Sequence, residues 1–215
     1  MYWEDEGFLL SKKNFDENSI IIEVFTSDHG KYSGIVYGGS SRKQKRNFQI
    51  GNKLFINFKS KNERKIGYFN IELIKPISPL FFNDKERSIC ILSASTILKI
   101  LLPERQINKK IYDLFNDFLL NLNLQNWIQL YIHWEISLIK ELGFEVDLNK
   151  SSNFIMMNNR SFKIPKILLN KSEKNIPAND IKEALIFNKN LIIENFILPN
   201  KLKLPVSRNI LEKYF

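Results

Sequence analysis

The sequence has few of the residues on which disulfides, metal centres and many enzyme active sites depend. Cys90 is the single cysteine among 215 residues, so neither an intramolecular disulfide nor a zinc site built from several thiolates is possible. We expect the two histidines, His29 and His133, to be structural. There is also no G-x-x-x-x-G-K-[S/T] phosphate loop. We therefore expect no catalytic residue, no metal and no cofactor.

Long apolar runs are missing as well. Nothing approaches the stretch of about 18 apolar residues that a membrane-spanning helix requires. The first residues, MYWEDEGFLL, are acidic where a signal peptide carries positive charge. The sequence thus predicts a soluble cytoplasmic protein without a membrane partner.

Positive charge is abundant and locally concentrated. The net charge is +9 and the pI is near 9.5, which favours a polyanionic partner. Arg42, Lys43, Lys45 and Arg46 fall within five residues, shortly after a break at Gly38-Gly39. A loop of this kind between two strands presents cations to a phosphate backbone. This segment is the strongest functional signal in the chain.

The N-terminal third of the chain has the pattern of a small barrel. Five short stretches rich in β-branched and aromatic residues are separated by turn signals and end by residue 75. They cover residues 3–13, 20–26, 31–37, 54–58 and 68–74. Their number and spacing predict an OB-like β-barrel over residues 1–78.

The period of the apolar residues changes after Pro76 and Pro79, which mark a boundary. Apolar residues at helical spacing predict helices over 89–101, 111–122, 127–142, 178–188, 190–198 and 206–214. Residues 153–165 read as a hairpin that turns at Asn158-Asn159. The predicted class is α+β with two domains, a barrel over 1–78 and a mostly helical domain over 79–215.

Several short stretches, taken in order, resemble the RecO family of bacterial DNA repair proteins. Residues 3–10 (WEDEGFLL) are similar to its opening strand, and Gly38-Gly39 with the basic segment is similar to its loop. Leu142-Gly143 resembles the end of its long helix, and residues 204–208 (LPVSR) are similar to the C-terminal helix of its proteobacterial members.

The resemblance implies a recombination mediator with an OB-fold and a helical domain. Such proteins bind single- and double-stranded DNA, anneal complementary strands, and act with RecR and the single-strand-binding protein SSB to load RecA. Two departures stand out. Many members hold zinc with four cysteines in an insert of the C-terminal domain. The corresponding residues here, 151–165, contain no cysteine, and we hypothesise that an apolar hairpin replaces the metal. Many also carry a basic residue where this chain has Tyr37.

The candidate DNA-binding residues include the basic segment and the basic residues of neighbouring turns, although a solvated charged loop is the plainer interpretation of any such run. Tyr37 either stacks on a base or faces the core, and we expect Phe48 to be buried. The full predicted set is Lys31, Tyr37, Arg42, Lys43, Lys45, Arg46, Lys59, Lys61, Arg64 and Lys65.

A second set of candidates lies on the helix over 127–142. Trp127, Tyr131 and Trp134 form an aromatic strip with Lys140 nearby. This strip is either part of a helix-bundle core or, as the resemblance suggests, part of an apolar pocket that binds the C-terminal tail of SSB. Glu4-Asp5-Glu6 suggests no metal site, and we expect solvated carboxylates on an exposed edge strand.

Two other functions remain open from the sequence. The first is an OB-fold accessory protein that binds RNA. The second is a nuclease, against which the absence of a convergent histidine and carboxylate set argues. Annealing of complementary DNA strands would separate the mediator from both alternatives.

Overall fold

The computed structural model describes residues 1–41, 44, 47–62, 65–144, 148, 154–157, 160–169 and 176–215. The chain divides into two compact units, Met1–Asp113 and Leu114–Phe215. The first unit therefore contains the barrel together with the segment that follows it.

The first unit is built on five strands that close into a barrel in the order β1-β2-β3-β5-β4. These are β1 (Tyr2–Asn14), β2 (Ser19–Thr26), β3 (Gly30–Tyr37), β4 (Lys53–Lys59) and β5 (Gly67–Lys75). All five predicted strands are confirmed. Because β1 pairs with both β2 and β4, it is not the edge strand that we expected.

The barrel closes where β3 and β5 run parallel, and this closure depends on two glycines. Gly34 lies opposite Gly67 in the ladder. A Cβ atom on Gly34 would lie 2.5 Å from the ring of Phe69, and one on Gly67 would collide with the ring of Phe58. Only residues without a side chain allow the strands to meet over these rings.

The barrel interior is filled by aliphatic and aromatic side chains. Trp3 stacks on Phe58 with ring centroids 4.8 Å apart and on His29 at 4.2 Å. His29 Nδ1 lies 2.9 Å from a carboxylate oxygen of Asp5, which also accepts a hydrogen bond from the Asp28 amide. Asp5 is 8% exposed, so the prediction of solvated carboxylates is wrong at this position. The Asp5 carboxylate can be buried because these two partners compensate for its lost hydration.

A 3-10 helix (Ser78–Phe81) and helix α1 (Lys85–Leu101) complete most of the first unit. Asp84 caps α1 by accepting a hydrogen bond from the Arg87 amide at 2.9 Å. Cys90, the single cysteine, is buried on this helix. Lys99 forms an ion pair of 2.7 Å with Glu23 of β2.

The Glu23 carboxyl should make part of the stability of this unit dependent on pH. Burial alone would raise the pKa of Glu23, but hydrogen bonds from Lys99 and Ser11 lower it below its ordinary value. A carboxyl with a lowered pKa stabilises the folded state above its unfolded pKa, and that contribution disappears as the pH falls through the folded pKa.

We therefore expect Glu23→Gln to be less stable than the wild type near neutral pH. The difference should shrink as the pH falls through the lowered pKa of Glu23, because the protonated carboxyl is neutral like the amide. Urea unfolding at a series of pH values measures it. Glu17→Gln, at an exposed position, is the control and should change stability by less than about 0.5 kcal/mol. A deficit of Glu23→Gln that grows toward acid would contradict the assignment.

The remaining elements are mostly helical. They are α2 (Lys109–Leu120), α3 (Trp127–Glu141), β6 (Phe154–Met157), β7 (Arg160–Lys163), α4 (Lys166–Leu169), α5 (Ala178–Ile192), a π-helical turn (Ile193–Ile197) and α6 (Val206–Glu212). The hairpin prediction is confirmed by the antiparallel pairing of β6 and β7. Its predicted turn at 158–159 lies outside the described residues.

The predicted break between two helices near residue 189 is absent. Helix α5 runs through this position and continues into the π-helical turn. Asn188 does not end the helix because its side chain is buried and donates hydrogen bonds to Ile132 O and to Glu135. Across the described ranges, no helix is both long enough and apolar enough to span a membrane.

Candidate nucleic-acid interface

Two tyrosines stack on the outside of the barrel where it closes. Tyr37 ends β3 and Tyr68 lies near the start of the adjacent strand β5. Their ring centroids are 5.0 Å apart with planes inclined by 16°, and the residues are 67% and 41% exposed. A hydrogen bond with Tyr68 raises the pKa of the Tyr37 hydroxyl, so Tyr37 stays uncharged at neutral pH.

The row continues across the next two strands. Lys59 of β4 lies opposite Tyr68 on one side and opposite Tyr2 of β1 on the other. The Lys59 ammonium lies over the Tyr2 ring, 5.6 Å from its centroid. We call these four side chains the tyrosine row: Tyr37, Tyr68, Lys59 and Tyr2. They come from four adjacent strands of the barrel, so their positions are fixed by its ladder.

The tyrosine row borders a cleft of about 410 Å³. Its polar lining includes Asn57 and Asn70, which face each other across β4 and β5.

Gln44, which lies within the basic segment 42–46, also lines this cleft. The Asn47 side chain holds Gln44 with a hydrogen bond of 3.0 Å, and Phe48 just beyond is buried at 1% exposure, as the sequence predicts. The described part of the segment therefore reaches the cleft.

Three of the predicted basic residues lie together at the turn between β4 and β5. Lys59, Lys61 and Lys65 are all exposed. The turn is held by Ser60 Oγ, which donates to Asn62 O at 2.6 Å, and by the Lys65 amide, which donates to Asn62 Oδ1 at 3.1 Å. The other predicted cations lie outside the described residues: Arg42, Lys43, Lys45, Arg46 and Arg64.

Lys31 does not belong to this surface. It is only 8% exposed, and its ammonium donates a hydrogen bond of 2.6 Å to the backbone oxygen of Lys99. Burial lowers the pKa of Lys31. The prediction that it contacts DNA is corrected, because a phosphate has no access to its charge.

The aromatic strip on α3 is interior. Trp127, Tyr131 and Trp134 are 5%, 0% and 3% exposed, while Lys140 is exposed. Trp134 stacks on Phe118 with ring centroids 5.4 Å apart. The three rings form the core of the helical unit and are inaccessible to a partner, so the expectation that they line a pocket for the SSB tail is corrected.

The sequence interpretation missed Tyr2, Tyr68, Asn57 and Asn70. Alternation along β5 carries part of the signal, since Phe69 and Ile71 point into the core and the residues between them must point outward. The missing part is the order of the strands, which brings Tyr37 of β3 next to Tyr68 of β5. Among the described residues, no group of three or more histidine, cysteine, aspartate or glutamate side chains is arranged to hold a metal ion.

Comparison with known proteins identifies the family. Residues 1–77 match the family model described as Recombination protein O N terminal, and residues 83–174 match Recombination protein O C terminal. The chain is 34% identical over 168 residues to the DNA repair protein RecO of a Wolbachia from Drosophila simulans, covering 77% of this chain and 69% of that one. For Cereibacter sphaeroides RecO the identity is 32% over 166 residues, with the same shares covered. The RecO protein of Ehrlichia chaffeensis is 31% identical over 168 residues, which cover 77% of this chain and 68% of that one. The chain therefore belongs to the RecO family of DNA repair and recombination proteins.

Proposed function

We propose that this protein is a non-enzymatic recombination mediator that binds single- and double-stranded DNA and anneals complementary strands. The observation that carries the proposal is the outer face of the OB barrel. There, exposed Lys59, Lys61 and Lys65 lie at the end of β4 and in the turn after it, and Gln44, the described residue of the basic segment, lines the cleft. OB barrels bind oligonucleotides with their strand faces and adjoining loops.

Annealing on such a face needs no bond-making chemistry. A mediator must hold a strand by its backbone, leave the base edges free, and reduce the repulsion between two polyanions. Lysine and arginine side chains on turns do all three, because they bind phosphates without covering the edges by which bases pair. A basic barrel face is therefore sufficient for annealing.

We further propose that the protein acts with RecR and the C-terminal tail of SSB to load RecA, and that it works on the chromosome in the nucleoid. The family membership supports these partners. The test is RecA filament formation on SSB-coated gapped DNA. We expect acceleration only when this protein and RecR are both present, and an equal rate without this protein would contradict the proposal.

The DNA-binding part is tested by fluorescence anisotropy with three labelled ligands of one sequence: a single DNA strand, the DNA duplex, and the RNA strand. We expect binding to both DNA forms, with the logarithm of affinity falling linearly with the logarithm of salt by about 0.7 per phosphate contacted on a single strand. Clear preference for RNA would favour the RNA-binding alternative. Cleavage of DNA that depends on a divalent metal would favour a nuclease.

A further inference from the structure

We infer that the tyrosine row is a stacking platform for unpaired bases, which makes the barrel distinguish single strands from duplex. This inference rests on the proposed DNA-binding function and extends it, since the basic turns alone bind any phosphate backbone. The ligand class is the unpaired base of single-stranded DNA.

The row has the dimensions and chemistry of such a platform. Strands in a sheet lie about 4.8 Å apart, so side chains from four adjacent strands extend over roughly 15 Å. Sheets in other nucleic-acid-binding folds stack two or three bases over a similar width. Tyr37 and Tyr68 already lie face to face, with ring centroids 5.0 Å apart. A base can stack on this pair as a third aromatic ring.

The exposed rings of the tyrosine row contribute little to the stability of the barrel. The core beneath it is complete, with Val36, Phe58 and Phe69 buried on the inner side of the same strands. Tyr37 and Tyr2 are 67% and 58% exposed, so they contribute little apolar burial. Adjacent exposed aromatic rings on a barrel are characteristic of a surface that binds a ligand.

Polar groups beside the rings suit a nucleotide. The Lys59 ammonium supplies a phosphate contact within the row, and the amides of Asn57 and Asn70 offer donors and acceptors to base edges at the cleft. One feature opposes DNA: the Glu4 carboxylate is hydrogen-bonded to the Tyr2 hydroxyl and repels phosphate. We therefore assign the strongest stacking to the Tyr37 and Tyr68 end of the row.

The test is a cycle that changes the protein and the ligand independently. Tyr37→Ala/Tyr68→Ala and the wild type are titrated with an oligothymidylate, with an abasic strand of equal length and charge, and with a duplex. Base–aromatic stacking predicts a loss of roughly tenfold or more on oligothymidylate for the double variant. On the abasic strand and the duplex, the loss should be less than about twofold, because neither offers an unpaired base.

Two control variants sharpen the result. Tyr37→Phe/Tyr68→Phe keeps both rings and should bind oligothymidylate as the wild type does. Phe82→Ala removes a ring that is 85% exposed in the same unit but lines a different cleft, and it should have no effect. Thermal unfolding of each variant should match the wild type, since the removed rings are on the surface.

Three outcomes would overturn the inference, and they are distinguishable. Unchanged binding of oligothymidylate by the double alanine variant would show that the rings do not stack on bases. Equal losses on oligothymidylate and on the abasic strand would show that the tyrosines act on the backbone. Failure of the wild type to bind any of the three ligands would remove the proposed function itself.

Discussion

Replacing Arg208 with alanine should lower the free energy of unfolding by about 3–5 kcal/mol, the largest effect on stability that we expect from a single substitution. Arg208 lies on α6 with 0% exposure and is paired with Glu135 of α3, which is also fully buried. Its Nε donates to Glu135 Oε1 at 2.6 Å, and its Nη2 donates to Oε2 at 3.0 Å. Removing one partner leaves an uncompensated charge in the interior.

Further hydrogen bonds support this pair. Arg208 Nη2 also donates to Leu185 O at 2.6 Å, and the Tyr131 hydroxyl donates to Glu135 at 2.7 Å. Burial opposes the charge on Arg208, but the Glu135 carboxylate raises the pKa of Arg208 above its ordinary value. Arg208 therefore keeps its charge throughout the accessible pH range.

Urea unfolding followed by circular dichroism measures this prediction, with Asn209→Ala as the matched control at an exposed position on the same helix. The control should cost less than about 0.5 kcal/mol. Replacing both partners, as Arg208→Met with Glu135→Leu, should recover much of the loss, because apolar residues of similar volume leave no buried charge. A loss below about 1 kcal/mol for Arg208→Ala would contradict the role of the pair.

Removing the charges of the basic segment should have the largest effect on DNA binding. The variant Arg42→Ala/Lys43→Ala/Lys45→Ala/Arg46→Ala keeps the described anchors of the segment, Gln44 and the buried Phe48. If all four cations contact phosphate, the slope of log affinity against log salt on a single strand should flatten by up to about 3. Affinity at low salt should fall on both single strands and duplex, because phosphates are common to both.

Anisotropy titrations over a salt series check this result. Lys85→Ala is the matched control, because Lys85 is exposed on the first turn of α1 and does not line the cleft. Its salt slope should equal that of the wild type. An unchanged slope for the quadruple variant would mean that the segment is only a solvated loop, and the lysines of the β4–β5 turn would then have to account for binding.

Local patterns predicted the elements of the barrel because each depends on neighbouring residues. The turn signal at Asp28-His29-Gly30 and the β-branched run over 20–26 specify strands whatever the rest of the chain does. The alternation that buries Phe69 and Ile71 follows from the two-residue period of a strand.

The failures concern contacts between residues that are distant in the sequence. Lys31 looked like a surface cation, but it reaches a helix carbonyl 68 positions away, and nothing near it in the sequence indicates that partner. The parallel pairing of Ile35 with Tyr68 assembles the tyrosine row, and it is equally non-local.

The strip of Trp127, Tyr131 and Trp134 shows a different limit. Helix α3 has apolar residues on more than one side, and such a helix is typical of a buried position. The family resemblance suggested a pocket there because an aromatic strip with a nearby lysine fits a peptide as well as it fits a core. Only the packing of Phe118 and Phe115 against Trp134 decides between the two.

The measurement that tests the central claim most directly is the rate at which complementary DNA strands coated with SSB anneal in the presence of this protein. Fluorescent pairing of the two strands is followed over time, without nucleotide and with a chelator of divalent metals. We predict a clear acceleration by the wild type and its loss in the quadruple variant of the basic segment. No acceleration by a folded wild-type protein would contradict the assignment of this chain as an annealing mediator.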